Sequence, residues 1–400
     1  MKHDTDGGSV YLEYLVETLT KCGAYIDVYI PSGVKGAIYN KERDSQQKSS
    51  TGSNIWDNEI VRVIYFPVDQ CTRNDVDITE DYFCARIEKS SYIAKFFADR
   101  KLYSYNAVYI LHMANAFAVI QERLTDVDNT VVFPMMTSVH YEKFSEVPKE
   151  YIEAEQSVFD CIKHICSPSE DEICNIQKRF SVPKHKLFKV HRGFSDNDFP
   201  PQKHCVTNTN IITLFSANGI RPQKDHLFLI PLVVELLRHN LHVHVHLTGN
   251  NGHSHNPVYN AYTKKFWGAV KDSGLTNHFT AHGVVNRTEL VRIMSSCDYA
   301  IYPSISETFG KSALESVVSG LPTVVFDDVP AFGEFIIHND TGIITPREPI
   351  ACVKTILDIH KNPNLYKNIR TQGLKLRDTF TWNSIMRDFI QKQHSRYILY

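Results

Sequence analysis

The sequence predicts an α/β protein built on doubly wound parallel sheets. Residues 297–326, CDYAIYPSISETFGKSALESVVSGLPTVVF, read as strand, loop, helix, turn and strand. Short apolar runs recur along the chain and alternate with helical stretches, as parallel strands with crossover helices require. The 400 residues point to two or three domains, and an apolar fraction of 42% supports a substantial core.

A net charge of −2 offers no basic surface for nucleic acid and no strong steering of a polyanion. The nine cysteines are scattered and odd in number, and no C-x-x-C pair occurs. That usage fits a reducing compartment and argues against a zinc knuckle. Neither a secretory leader nor a run of about 18 apolar residues is visible, so the expectation is a cytoplasmic chain without a membrane span.

Gly7 and Gly8 are expected to precede an amphipathic helix with Val10, Leu12, Leu15, Val16 and Leu19 on its apolar face. Gly23 ends that helix, and residues 24–30 form a strand. Residues 35–58 are polar and read as a long loop that borders an acceptor. Residues 59–67 are a strand. Residues 86–103 read as a helix with Ile93, Phe96 and Phe97 set among Arg86, Lys89, Lys95, Arg100 and Lys101. Such a helix is either an ordinary surface helix or a peripheral membrane contact. The strands at 107–112 and 131–133 lead to His112 and His140, near the strand ends where open α/β sheets bind ligands. A helix and a strand follow through Ser167. Residues 195–210, polar with two prolines, read as the interdomain linker.

The second half opens on a strand at 211–216, followed by Asn218, Gly219, Ile220, Arg221, Pro222, Gln223 and Lys224. Arginine and lysine in a loop after a strand can clamp a diphosphate, one as a planar fork and the other as a point charge. Residues 241–247, LHVHVHL, form a strand whose period of two places His242, His244 and His246 on one face. Neighbouring histidines can bind a metal, but one strand face lacks a closing ligand, so no metal is expected.

Within residues 297–326, Gly310 opens the helix, Gly320 stops it, and Pro322 resists its continuation. Glu307 stands in the loop and Glu315 inside the helix, with seven residues between them. Glu315 lies beside Leu314, Val317 and Val318, and a buried carboxylate needs a partner. A ribose diol, with two hydroxyls to donate, would serve. The amides near Phe309, Gly310 and Lys311 lie at the helix start, where the dipole suits an anion or sugar oxygens. An acid there also serves as plain dipole compensation, so the whole string has to decide between the readings.

That string, P-S-x-x-E-x-F-G-x-x-x-L-E-x-x-x-x-G-L-P over residues 303–322, closely resembles the donor-sugar motif of family-4 retaining glycosyltransferases of the GT-B fold. Arg221-Pro222-Gln223-Lys224 resembles a string frequent in that family, notably in Alg-type mannosyltransferases. Residues 331–334 and 341–342 are similar to its pocket-closing loops. The resemblance implies two Rossmann-like doubly wound parallel-sheet domains facing across a cleft. Residues 1–205 would form the acceptor side and 206–380 the nucleotide-sugar domain, with a C-terminal helix at about 381–400 packing back on the first. It implies catalytic roles for Arg221, Lys224, Glu307 and His140, with His112 the weaker alternative to His140. It implies donor binding by Gly7, Gly8, Asn218, Gly249, Thr308, Phe309, Gly310, Lys311 and Glu315, with Glu307 on the donor sugar and Glu315 on the ribose. The implied reaction moves a hexose of the mannose or glucose class, with retention, from a UDP- or GDP-linked sugar. Its acceptor is a glycan, lipid-linked or small hydroxyl compound. No metal or other cofactor is implied, because the leaving phosphate itself takes the acceptor's proton.

Two departures stand beside this reading. Only six residues, all but one of them polar or charged, precede Gly7, so either the start is trimmed or the family's first strand is missing. Arg192 and Ser195 replace the family's asparagine and aspartate in the turn around Gly193. The alternatives are a non-catalytic nucleotide-sugar-binding homologue and a sugar-nucleotide epimerase of the same fold. Three aspartate–x–aspartate triplets, starting at Asp75, Asp126 and Asp196, fall in polar loops and are discounted as metal sites.

Overall fold

The computed structural model describes residues 7–32, 61–67, 80–98, 102–202, 210–251 and 257–397. The polar stretch 35–58, the triplet at Asp75, and His253 and His255 lie outside them. So does any strand before Gly7. The chain forms two compact units, one holding Met1–Ser167, Ile173–Val190 and Met386–Tyr400, the other Pro168–Glu172 and His191–Ile385.

The first unit begins with α1 (Gly7–Lys21), β1 (Ile26–Ser32), β2 (Val61–Pro67) and α2 (Glu80–Phe97). It continues with β3 (Val108–Leu111), α3 (Met113–Gln121), β4 (Thr130–Phe133), α4 (Ser138–Tyr141), α5 (Lys149–Cys161) and β5 (His164–Ser167). Then come α6 (Glu170–Phe180) and β6 (Leu187–Lys189). Gly7 and Gly8 form the first turn of α1 instead of a loop before it. The helix is held by Tyr11, Leu15 and Val16, all buried, and Tyr11 packs on Phe133 with ring centroids 4.9 Å apart. Among the described residues this half has two sheets, β1 paired with β2 and β3-β4-β5-β6 in sequence order, every pair parallel. Phe83, Phe117 and Tyr151 meet edge-on in the core, at 4.8 and 5.2 Å from the tyrosine ring.

Ile93 and Phe97 belong to that same core, so α2 spends its apolar face inside the unit and leaves Lys95 exposed. The helix lies earlier than the sequence reading placed it, at Glu80–Phe97 instead of 86–103. No described helix is long and apolar enough to cross a membrane.

The second unit is organised around β7 (Ile211–Ala217). After α7 (Leu229–Arg238), β8 (His242–Thr248), α8 (Pro257–Asp272) and β9 (Phe279–Ala281) the chain crosses back through α9 (Arg287–Ser295) to β10 (Tyr299–Ile301). It then runs through α10 (Lys311–Val318), β11 (Thr323–Phe326), β12 (Ile343–Thr345), α11 (Pro349–His360) and α12 (Pro363–Lys375). It closes with α13 (Arg377–Phe380) and the start of α14 (Trp382–Tyr397), whose residues from Met386 on belong to the first unit. The sheet order is β12-β11-β10-β7-β8-β9, all parallel, with Leu214 registered on Tyr299 to one side and Val245 to the other. The strand order therefore reverses between β7 and β10, and the crevice outside that switch point is where such sheets bind ligands. α7 buries Leu229, Leu232, Val233 and Leu236, a spacing that makes one apolar stripe, each side chain contributing about 1.5–3 kcal/mol.

The turn with the unexpected Arg192 and Ser195 forms a seam. Phe194 pairs with Thr381, its N–H donating to the Phe380 carbonyl at 3.0 Å while the Trp382 N–H donates back to Phe194 at 3.1 Å. Arg377 fastens it, donating to the carbonyls of Phe199 and Val318 at 2.6 and 2.7 Å and to Asp196 at 2.7 Å.

His242, His244 and His246 do share one face of β8, alternating with buried Val243, Val245 and Leu247. His244 bonds Thr280 at 2.8 Å, and His246 stacks on His282 with ring nitrogens 3.0 Å apart. Among the described residues no group of three or more His, Cys, Asp or Glu is placed to hold a metal. Burial, reinforced by His244 and His282, pushes His246 down to about 4. Burial, with Lys224 and Arg221 nearby, pushes His226 down to about 3. A base depressed in the fold takes up its proton more readily in the unfolded chain. Its stabilising contribution is full above the ordinary value of 6.5 and is lost as pH falls towards 4 and 3. We therefore expect Tm to fall steadily between pH 6.5 and 4, and His246→Gln to flatten part of that slope. A Tm that stays level across the window, followed by circular dichroism, contradicts this.

Candidate functional site

The loops leaving β7 and β10 emerge side by side and are tied together. The Ile305 N–H donates to the Gln223 carbonyl at 2.9 Å, and Gln223 Nε2 donates to the Ser306 carbonyl at 2.9 Å. This brings Lys224 against Glu307: Nζ donates to Oε1, which also accepts from Ser304 Oγ at 2.7 Å. Lys224 is only 6% exposed. Burial lowers its pKa, Glu307 opposes that, and Arg221 adds to the lowering. Glu307 is thus the group that favours the lysine's cationic form against burial. Arg221 lies 5.8 Å over the Tyr259 ring, and its Nε is buried with no hydrogen-bond partner among the described residues. A buried donor without a partner is a ready contact for an anion.

The same loop runs into the start of α10. Gly310 caps that helix from a left-handed φ of 89°, and no side chain supplies a cap. A Cβ at Gly310 would lie 2.7 Å from Phe332 Cδ1, so only glycine fits there. Thr308 and Lys311 flank the helix start half-buried, and Phe309 is buried. Glu315, one turn on and 5% exposed, accepts from Lys311 Nζ at 2.6 Å, with Arg287 Nη1 3.8 Å away. The partner that burial demands of Glu315 is thus supplied in part by the chain's own cations. Asn218 and Gly249 meet on the neighbouring strand ends: the Asn218 N–H donates to Thr248 at 2.9 Å and the Gly249 N–H to Gly283 at 2.8 Å. A Cβ on Gly249, whose φ is 115°, would sit 2.7 Å from the Asn218 carbonyl carbon.

Two residues at this site were not visible in the sequence. Asp225, left-handed at φ 43°, is pushed up to about 6 by burial, against the pull of Arg347. Arg347 reaches the loop after β10 from beyond β12, donating to the carbonyls of Pro303 and Ser304. Neither belongs to a motif, and the bonds of Arg347 to that loop span 44 and 43 positions in sequence. Residues 331–334 do close on the site: Phe332 backs Gly310, and Glu334 bonds His191 at 2.8 Å.

His140, Gly7 and Gly8 belong to the first unit. His140 is fully buried on α4. Both oxygens of Glu155, itself fully buried, accept from the Ser138 N–H that starts that helix, at 3.0 and 3.1 Å. His112 ends β3 at a left-handed φ of 72°. The described aspartate triplets are otherwise engaged, Asp128 with Lys163 and Asp196 with Arg377.

A family model, Glycosyl transferases group 1, matches residues 200–376. The GDP-mannose-dependent alpha-(1-6)-phosphatidylinositol dimannoside mannosyltransferase of Mycobacterium tuberculosis is 32% identical over 112 residues, covering 28% of this chain and 28% of that protein. The matched stretches of the first relatives span only 25% to 30% of their lengths. Sucrose-phosphate synthase from Thermosynechococcus elongatus superimposes with a TM-score of 0.75 at 16% identity, over 99% of this chain and 94% of that one. Anabaena HepE, solved with UDP and glucose, gives 0.70 at 14% identity, over 98% and 97%. These structures share the fold. With residues 200–376 matched by the family model and the sheet reversing beside its motif loops, the chain carries a glycosyltransferase group 1 domain of GT-B type.

Proposed function

We propose that this protein transfers a hexose of the mannose or glucose class from a UDP- or GDP-linked sugar to a hydroxyl acceptor, with retention and without a metal. The acceptor class is a glycan, a lipid-linked compound or a small molecule. The observation that carries the reading is the convergence of Lys224, Arg221 and the uncapped start of α10 beside two carboxylates, the half-buried Glu307 and the buried Glu315. Glycosyl transfer from a nucleotide sugar needs a diphosphate leaving group stabilised as its charge develops, and preorganised donors in a dry site supply that. Arg221 and Lys224 are assigned to the diphosphate, Glu307 to the donor sugar and Glu315 to the ribose. Asn218, Gly249 and residues 308–311 line the donor. His140 and the glycines at 7 and 8 are assigned to the reacting sugar and acceptor side by resemblance. A GDP-mannose-dependent relative and a neighbour solved with UDP and glucose support both donor classes.

Glu315→Ala is expected to weaken binding of the free nucleoside diphosphate about tenfold, the worth of a hydrogen bond to a charged group. Glu307→Ala should spare it and impair binding or turnover of the sugar nucleotide. Calorimetry separates the two, and identical behaviour of the mutants refutes the division of labour.

Lys224→Ala strands the half-buried Glu307 carboxylate and should cost up to about 3–5 kcal/mol of stability along with on the order of 10²-fold or more in turnover. Lys224→Met with Glu307→Gln removes both charges. It should recover most of the stability, measured in urea, and none of the turnover. Near-normal turnover in either variant sinks the role of Lys224.

Transfer is expected to survive EDTA, because two cations and a helix start neutralise a diphosphate without a metal ion. Activity lost in chelator and restored by magnesium, manganese or zinc overturns the metal-free reading.

A further inference from the structure

Arg347 belongs to neither of the two loops that form the donor site, yet it touches both. Its Nη1 donates to the Pro303 carbonyl at 2.6 Å and its Nη2 to the Ser304 carbonyl at 2.7 Å. Those residues begin the loop that carries Glu307. Its back is held rigid. Asp328 takes Nε at 2.5 Å and Nη2 at 2.8 Å, one carboxylate oxygen each, and the guanidinium lies 4.6 Å from the Phe326 ring centroid. Its Nη1 also stands 3.5 Å from Asp225 Oδ2, beside Lys224 on the loop after β7. One planar group, 18% exposed, therefore spans from the end of β11 to both loops. Lysine offers a single point charge and cannot make this set of contacts.

We propose that Arg347 is a positioning residue that fixes the loop bearing Glu307 against the loop bearing Lys224, and so sets the sugar end of the donor site. The proposal rests on the reading of those two residues as donor contacts. Its consequence is a split between the two ends of the donor. The nucleotide end hangs on Glu315 and α10, to which Arg347 makes no hydrogen bond or ion pair among the described residues. The sugar end hangs on the ion pair between the two loops.

The test uses the full chain with Arg347→Ala, Arg347→Lys and Asp225→Asn. Hydrogen exchange of residues 303–309 is expected to rise on the order of tenfold in R347A, as loss of a charge-assisted hydrogen bond implies, and by less in R347K. D225N should loosen 218–225 and leave 303–309 protected. Binding of free UDP or GDP should be unchanged in R347A, while kcat for the sugar nucleotide falls about tenfold, restored in part by R347K. Unchanged exchange at 303–309 in R347A overturns the proposal. So does exchange raised evenly across the second unit, or nucleoside diphosphate affinity that falls in step with kcat. If R347A does not fold, R347K against wild type gives the same comparison. A wild-type chain that binds neither nucleotide sinks the donor reading instead, and the exchange data still decide whether Arg347 holds the loop.

Discussion

The second unit depends on one adjacency, β7 beside β10. Because the strand order reverses there, two loops that are 83 positions apart at Lys224 and Glu307 leave the sheet together. Everything polar at the site follows from that neighbourhood. Burial at 6% exposure works against the charge of Lys224, and the partner that opposes this comes from the other strand. Removing either partner of such a pair leaves an uncompensated charge, which costs more than the pair contributes. The ion pair is therefore better understood as a geometric commitment than as a source of stability. It obliges the loops to meet, and the meeting brings Lys224 and Arg221 together beside Glu307.

The local part of this arrangement was readable in the sequence. Residues 303–322 hold strand end, loop, helix start and helix stop within one string, so their spacing alone places Glu307 in the loop and Glu315 in the helix. The histidine face of β8 was likewise legible, since period two needs no tertiary information. What stayed hidden are contacts whose two sides are distant in the chain. The partners Thr280 and His282 come from β9 and its end. Arg347 and Asp225 carry no motif. Lys311 and Arg287 flank Glu315, where the sequence had suggested that a ligand was needed. Glycines misled once, since a pair at positions 7 and 8 reads as a loop, while tertiary packing of Tyr11 and Leu15 draws them into the first turn of a helix.

The first unit shows a different use of a buried carboxylate. Glu155 is wholly enclosed, and both its oxygens accept from a backbone amide. It compensates the start of a four-residue helix that carries His140. In the second unit a side chain of the same type is satisfied by lysine.

The seam between residues 194 and 382 has a consequence for where this unit ends. The family model stops at residue 376, yet Arg377 clasps the carbonyls of Phe199 and Val318, and Phe380 and Trp382 bracket Phe194. The stretch that sequence descent marks out is thus shorter than the stretch that cooperates in folding. An excised fragment of residues 200–376 would open like a garment cut inside its hem, lacking Phe194, Phe199 and Trp382 and leaving the Val318 carbonyl without its guanidinium. A fragment that keeps the opening turn and the closing helix retains its own fastening.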